Sequence, residues 1–203
     1  SDINVALSSH LIGLEGFGIE SDDYKIFLEK RAELVFKQLK ARIDLTRVDS
    51  PYEELEQLIA GGENDVVEFK STMRYDVRNN VVNKKLEYVI AKTIAAFLNT
   101  EGGKLIMGVD DDQNIVGLSR DISTLQKKSL DGFELHLIGI IQKYIGNQYS
   151  SHIKISFPAF DGLNICLVTV SKSSNPVFIN YEGKEDFFIR VGCSSQPLSR
   201  GEQ

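Results

Sequence analysis

A chain of 203 residues with 42% hydrophobic and 26% charged residues has the size and composition of one soluble domain with an appendage, which excludes a fibrous repeat or a disordered chain. The formal net charge of −6 disfavours a uniformly electropositive, nucleic-acid-binding surface. No stretch reaches the ~20 apolar residues that span a bilayer, and the N-terminus lacks a signal-peptide pattern, so we expect a cytoplasmic protein without a membrane partner.

The acidic excess lies in the first third of the chain. Residues 1–64 hold 7 Lys and Arg against 13 Asp and Glu, whereas residues 65–203 hold 16 of each. Apolar residues at near-helical spacing predict a long amphipathic helix from Asp23 to about Ile43. We therefore expect a helical extension over residues 1–50, a boundary near residues 45–50, and a domain over residues 51–203. Because the chain begins with Ser rather than Met, we expect a piece of a longer protein, and residues 1–50 are compatible with the tail of a neighbouring domain.

The next elements alternate between helix and strand. Ser50 as N-cap and Pro51 at the first helical position predict a short helix that ends near Gly61 and Gly62. "DVVEFK" then predicts a strand, residues Val81–Asn99 a helix, and "KLIMGVD" a strand. "IVGL" is expected to pair back as a hairpin strand across the turn "DDQN".

The second half begins with a long helix and ends in strands. The helix is expected from about Thr124 to Tyr144, with Asp121 or Ser123 as its cap. The strands are predicted in "HIKISFPAF", "LNICLVTV", "VFINYE" and "DFFIRVG". This order predicts an α+β fold, with a mixed, largely antiparallel sheet covered by two long helices.

Gly102 and Gly103 lie between a predicted helix and a predicted strand. The pair predicts a helix C-cap with a positive φ angle, and the alternative is a close approach of the backbone to a phosphate group. The phosphate-binding pattern GxxxxGK[ST] is absent from the sequence, so the motifs do not indicate an ATPase. The two cysteines, Cys166 and Cys193, lack zinc-site spacing and are expected to be reduced.

Three motifs follow one another in a recognisable order: "VEFK", "IAAFLNTEGGKLIMGVDDDQNIVGL" and "FFIRVGCSS". Over roughly residues 55–200 the chain resembles the Schlafen AlbA_2 domain family, also called the divergent AAA-4 or Schlafen-like DNA-binding domain. The resemblance implies a module that binds DNA or RNA within a larger bacterial-type protein, with a regulatory or defence-related role.

The same resemblance implies an alternative function, a metal-dependent nuclease. Schlafen nucleases are described as cutting structured RNA at a three-carboxylate centre, and the matching residues are Glu63, Glu68 and Asp110. Such a centre would hold Mg²⁺ or Mn²⁺, which activates a water for attack on phosphate. Lys70 lies two residues after Glu68, on the same strand face, and is a fourth catalytic candidate.

A simpler interpretation treats these charges as structural. Glu68 and Lys70 then form a solvated strand face, and Asp110 belongs to an ordinary turn. We favour a binding module, which needs no cofactor. The nuclease and, more weakly, a protein-interaction domain remain as alternatives.

Basic residues are the candidate nucleic-acid contacts. Four lie in or near the loop and helix after the first strand, and one lies in the last predicted strand: Arg74, Arg78, Lys84, Lys85 and Arg190. The alternative is an ordinary exposed loop. Since vertebrate Schlafen cores close two lobes on a channel and this chain resembles one lobe, we also expect a homodimer.

Overall fold

The computed structural model describes residues 22–45, 51–160 and 162–198. The chain divides into two units at Ser50. In the first unit, helix α1 spans Asp22–Leu45, which confirms the helix predicted there. The apolar side chains that the structure describes on this helix are exposed, and Phe36 is the extreme case at 70%. The predicted N-cap Ser50 and most of the predicted boundary lie outside the described residues.

The second unit carries the remaining elements. The helices are α2 (Pro51–Ala60), α3 (Lys84–Leu98), α4 (Ser119–Ser123) and α5 (Leu130–Tyr144), followed by a 3₁₀ turn over Asn147–His152. The strands are β1 (Val67–Lys70), β2 (Tyr75–Asp76), β3 (Val81–Val82), β4 (Gly103–Met107), β5 (Ile153–Ser156), β6 (Ala159–Phe160), β7 (Leu163–Asn164), β8 (Cys166–Val170), β9 (Phe178–Tyr181), β10 (Lys184–Val191) and β11 (Ser194–Leu198).

Strands β1, β4, β8 and β5 form the main sheet, in that order. Strand β1 runs parallel to β4, whereas β8 is antiparallel to both β4 and β5. A second, antiparallel sheet has the order β11-β10-β9, and the pairs β2-β3 and β6-β7 are short hairpins. The predicted α+β class with a mixed, largely antiparallel sheet is confirmed.

Strand β4 is covered on both faces because its side chains alternate. Leu105 and Met107 belong to the larger core cluster, in which residues of α3 and α5 such as Phe97 and Phe133 are fully buried. Ile106 belongs to a smaller cluster with Val67 and Phe69 of β1 and apolar side chains of α2. Strand β1 is therefore held by its pairing with β4 and by the packing of Val67 and Phe69 on α2, which positions the charges that β1 carries.

Two predicted helix starts are wrong, and one predicted hairpin strand is reduced to a single bridge. Helix α3 begins at Lys84 rather than Val81, because Val81 and Val82 pair with Tyr75 and Asp76 in the β2-β3 hairpin. The residues "IVGL" do not form a strand, and only an isolated bridge joins Val109 to Ile115. Helix α5 begins at Leu130 rather than Thr124, and its cap is the hydroxyl of Ser129, not Asp121 or Ser123.

Two further predictions are confirmed. Gly102 follows α3 with the predicted positive φ, +84°, and its N–H donates to the carbonyl of Phe97 at 3.0 Å, although the C-cap residue itself is Asn99. Both cysteines are free thiols. Within the described ranges, no helix has the length and apolarity that crossing a membrane requires.

Candidate nucleic-acid interface

The charges on β1 are paired, and Glu68 is buried whereas Lys70 is half-buried. Glu68 is only 7% exposed, and its sequence neighbours Val67 and Phe69 are buried on the opposite strand face. Lys70 Nζ donates to Glu68 Oε1 at 2.5 Å, and Arg190 Nη1 donates to Glu68 Oε2 at 2.7 Å. The prediction that Glu68 and Lys70 lie on one strand face is confirmed. The interpretation of Glu68 as a solvated residue is wrong, because the carboxylate lies between two cations inside the protein.

Arg190 connects β10 to the segment around β1. Its side chain is 2% exposed. Besides Glu68, its guanidinium donates to the carbonyl oxygens of Asn64 at 2.7 Å and Asp65 at 3.4 Å, and it lies 5.0 Å from the ring centroid of Phe97. These contacts engage all three guanidinium nitrogens, so the structure places Arg190 in the interior, where its nitrogens are already bound to protein groups.

The other two predicted carboxylates make local contacts. Glu63 Oε1 accepts the N–H of Phe69 at 2.7 Å. Asp110 Oδ1 accepts the N–H groups of Asp112 and Asn114 at 3.0 and 2.8 Å, and its Oδ2 accepts from the Asn114 side chain at 3.2 Å. Asp110 thus stabilises the turn after β4, and Glu63 holds the loop before β1.

These residues do not fit a metal ion in this arrangement. Mg²⁺ and Mn²⁺ require carboxylate oxygens that point together. The oxygens of Glu68 face Lys70 and Arg190, and those of Asp110 face its own turn. Among residues 22–45, 51–160 and 162–198, no group of three or more His, Cys, Asp or Glu side chains is placed to hold a metal.

The remaining basic candidates lie on the β2-β3 hairpin and the first turn of α3. Arg78, Lys84 and Lys85 are exposed. Arg74 instead lies largely buried, with Nε 3.2 Å from Glu87 Oε1, an oxygen that also lies 2.8 Å from His136 Nε2. The N-terminus of α3 adds its positive dipole to the two exposed lysines. The exposed members of the predicted set, Arg78, Lys84 and Lys85, therefore lie on one segment, residues 76–85.

Asp121 anchors the residues directly before this segment to the core. Its carboxylate is 1% exposed and accepts the N–H groups of Met73 at 2.6 Å, Arg74 at 2.9 Å and Tyr75 at 2.9 Å. Burial raises the pKa of Asp121, and the three N–H donors oppose that rise. The sequence suggested a helix cap for Asp121, and no local pattern pointed to donors about 47 residues earlier in the chain.

Replacing Asp121 with asparagine is expected to lower the free energy of unfolding by about 1–3 kcal/mol. The amide nitrogen of Asn would face a backbone N–H, so one buried donor would lose its acceptor. Urea unfolding followed by circular dichroism measures the change. The exposed Asp111→Asn is the control and should stay within about 0.5 kcal/mol of wild type. Equal stability of the two variants would show that the carboxylate does not anchor the segment.

A groove next to the two lysines was missing from the sequence prediction. A cavity of about 400 Å³ is lined by residues from the start of α3, the end of α5 and strand β9: Lys84, Lys85, Lys143, Tyr144, Asn180, Tyr181 and Glu182. Only the fold brings these residues together, because about 100 residues separate the first lysine from Glu182. In the sequence, these residues could be noticed only by their type, as where Lys143 is followed by Tyr144.

The fold and these side chains define a small α+β domain with internally paired charges on β1 and exposed cations on one segment. The chain belongs to the Schlafen AlbA_2 family, because the family model described as "Schlafen, AlbA_2" matches residues 63–199. This confirms the resemblance seen in the motifs.

Two solved structures are similar to the chain. The DIP2311 protein from Corynebacterium diphtheriae is 22% identical, with a TM-score of 0.50, and the match covers 73% of this chain and 30% of that one. The chain thus spans less than a third of that protein, and the similarity shows the fold. The N-terminal domain of a RecG-related protein from Nitrosomonas europaea is 19% identical, with a TM-score of 0.45, over 70% of this chain and 88% of that one.

Proposed function

We propose that residues 51–203 form a module that binds nucleic acid, DNA or RNA, through the segment of residues 76–85. One observation carries the proposal: Arg78, Lys84 and Lys85 are exposed together, and no carboxylate in the described part of the chain forms an ion pair with them. Such unpaired cations bind phosphate groups favourably, because their binding releases the counterions of the nucleic acid.

The distribution of charge supports the proposal. Residues 65–203 are neutral in total, with 16 cations and 16 acids. Three of the acids are engaged inside the domain. Glu68 pairs with Lys70 and Arg190, and Glu87 pairs with Arg74. Asp121 accepts backbone N–H groups. A neutral module can therefore present a locally positive surface. Membership of the Schlafen AlbA_2 family also supports a role with nucleic acid.

The proposal involves binding without cleavage. The three carboxylates implied for a nuclease are engaged in holding β1, its preceding loop and the turn after β4. The homodimer expected from the single lobe stays a prediction, as does the assignment of residues 51–203 to one functional domain.

The binding segment is tested by the salt dependence of affinity. Fluorescence anisotropy with labelled single-stranded and duplex RNA and DNA should show binding that weakens steeply with salt. The triple variant Arg78→Ala/Lys84→Ala/Lys85→Ala should bind single strands at least about tenfold more weakly, and the slope of log K against log salt should fall by about 2, since each lost phosphate contact removes ~0.7.

A charge-matched control separates this segment from net charge. Lys37, Lys128 and Lys154 are exposed lysines elsewhere in the described chain. Their triple alanine variant loses the same three charges and should keep the wild-type slope. A wild type that binds none of the four nucleic acids, or a control that weakens binding as much as the test variant, would overturn the proposal.

A further inference from the structure

The cavity beside Lys84 and Lys85 continues into a longer groove. A second cavity of about 310 Å³ shares Lys143, Tyr144 and Asn180 with the first and extends toward Tyr149 and Phe178. We call the two together the α3-α5-β9 groove. Each cavity is of the size that holds a small ligand or one unit of a polymer.

One end of the groove is basic. Lys84 and Lys85 enter it from the start of α3, and Lys143 enters from the last turn of α5. Lys143 Nζ donates to the Tyr144 hydroxyl at 2.8 Å and lies 4.3 Å from the ring centroid, so the ammonium is held at the wall. The hydrogen bond to Tyr144 raises the pKa of Lys143, which keeps it charged. Three ammonium groups from two helices can then surround a phosphate.

The other end of the groove carries amides and aromatic rings. Gln142 and Gln148 line it together with the carboxylate of Glu185, and Asn180 lies where the two cavities meet. An amide both donates and accepts hydrogen bonds, as base edges require. Tyr149 and the 38% exposed Phe178 supply ring surface. At the lysine end, the Tyr181 ring packs against Tyr88 with 4.4 Å between the ring centroids, at a tilt of 36°.

We propose that the α3-α5-β9 groove binds unpaired nucleotides, with phosphate at the lysine end and a base at the amide and aromatic end. This rests on the proposed nucleic-acid binding and adds the form of the ligand. A duplex does not suit the groove, because paired bases hide their Watson–Crick edges and stack away from protein rings. RNA and DNA share the chemistry that the groove recognises.

Glu182 opposes an anionic ligand at the basic end. It lines the same cavity as Lys84 and Lys85, and its charge raises the pKa of Tyr181. A phosphate in this cavity is repelled by Glu182. Removal of this charge by Glu182→Gln should therefore strengthen single-strand binding, whereas a groove that holds no phosphate would not respond.

The test uses the full chain and 12-nucleotide fluorescein-labelled strands in anisotropy titrations. Single-stranded RNA, single-stranded DNA of the same sequence and the DNA duplex are compared. Lys143→Met and Asn180→Asp should each weaken single-strand binding about tenfold and duplex binding less than about twofold. Glu182→Gln should strengthen single-strand binding about twofold to fivefold. Lys154→Met, an exposed lysine on β5, is the control and should change neither.

Asn180 is an exposed strand residue, so its variant tests the groove without loss of core packing. Thermal unfolding of every variant verifies that it is folded at the titration temperature. Single-strand binding that Lys143→Met and Asn180→Asp leave unchanged, while the variant of Arg78, Lys84 and Lys85 weakens it, would overturn the groove and leave the proposed function intact. Equal weakening of duplex and single strand would also overturn it. A wild type without any nucleic-acid affinity would remove both proposals.

Discussion

Glu68→Gln is expected to lower the free energy of unfolding by about 3–5 kcal/mol, the cost of leaving a buried charge without its partner. Arg190, whose side chain is 2% exposed, would keep its cation among carbonyl oxygens with no carboxylate to compensate it. Urea unfolding at neutral pH measures the change. The matched control is Glu54→Gln, which breaks the exposed ion pair with Lys104 and should leave stability unchanged within error.

A double-mutant cycle with Arg190→Met identifies the cause. The double variant Glu68→Gln/Arg190→Met holds no buried unpaired charge, so it should recover part of the lost stability, with a coupling energy of about 1–3 kcal/mol. Additive losses would show that the two residues act independently.

The same variant separates a structural from a catalytic role. If Glu68 were a metal ligand, Glu68→Gln would abolish Mn²⁺-dependent cleavage while stability stayed near wild type, because the removal of a charge from a metal site relieves repulsion. The structure instead connects Glu68 to Lys70 and Arg190. A stable Glu68→Gln variant would contradict the buried ion pair.

The main elements of the fold could be predicted because their residues carry a periodic pattern. Strand β4 and helix α3 bury long apolar series, and turn residues mark the β9-β10 hairpin. The short elements could not be predicted. Val81 and Val82 suited a helix as well as a strand, and only pairing with Tyr75 and Asp76 decides between the two. Strand β11, with the sequence SSQPL, has no strand pattern and exists through its pairing with β10.

The residues of the candidate site likewise divide into features that the sequence could predict and features that it could not. The period of a strand sufficed to place Glu68 and Lys70 on one face. Their burial could not be predicted, since it depends on Arg190, 122 residues later in the chain. From the sequence, Arg190 was predicted to contact phosphate, because the sequence around a single cation in an apolar strand does not show which residue pairs with it. The α3-α5-β9 groove likewise required the packing of three elements that are distant in sequence.

A substitution at Gly102 is the second change from which we expect a large loss of stability. It also distinguishes the two interpretations of "NTEGGK", a helix C-cap and a close approach of the backbone to phosphate. Gly102→Ala is expected to lower the free energy of unfolding by about 2–5 kcal/mol, from a left-handed backbone and an overpacked contact. The φ of Gly102 is +84°, and a Cβ there would lie 2.5 Å from the carbonyl oxygen of Val170. That oxygen belongs to β8, in the middle of the main sheet, so the backbone cannot easily move away.

Gly183→Ala is the matched control for this contact. Gly183 has a similar φ of +78°, but a Cβ there meets nothing within 4 Å. Its variant should therefore lose only the backbone contribution, about 1–2 kcal/mol, and the difference between the two variants measures the contact with Val170.

If the backbone at Gly102 approached a bound phosphate, Gly102→Ala would weaken nucleic-acid binding at a temperature where the protein stays folded. Because Gly102 is buried, we expect unchanged affinity with reduced stability, and the reverse pattern would restore the phosphate interpretation.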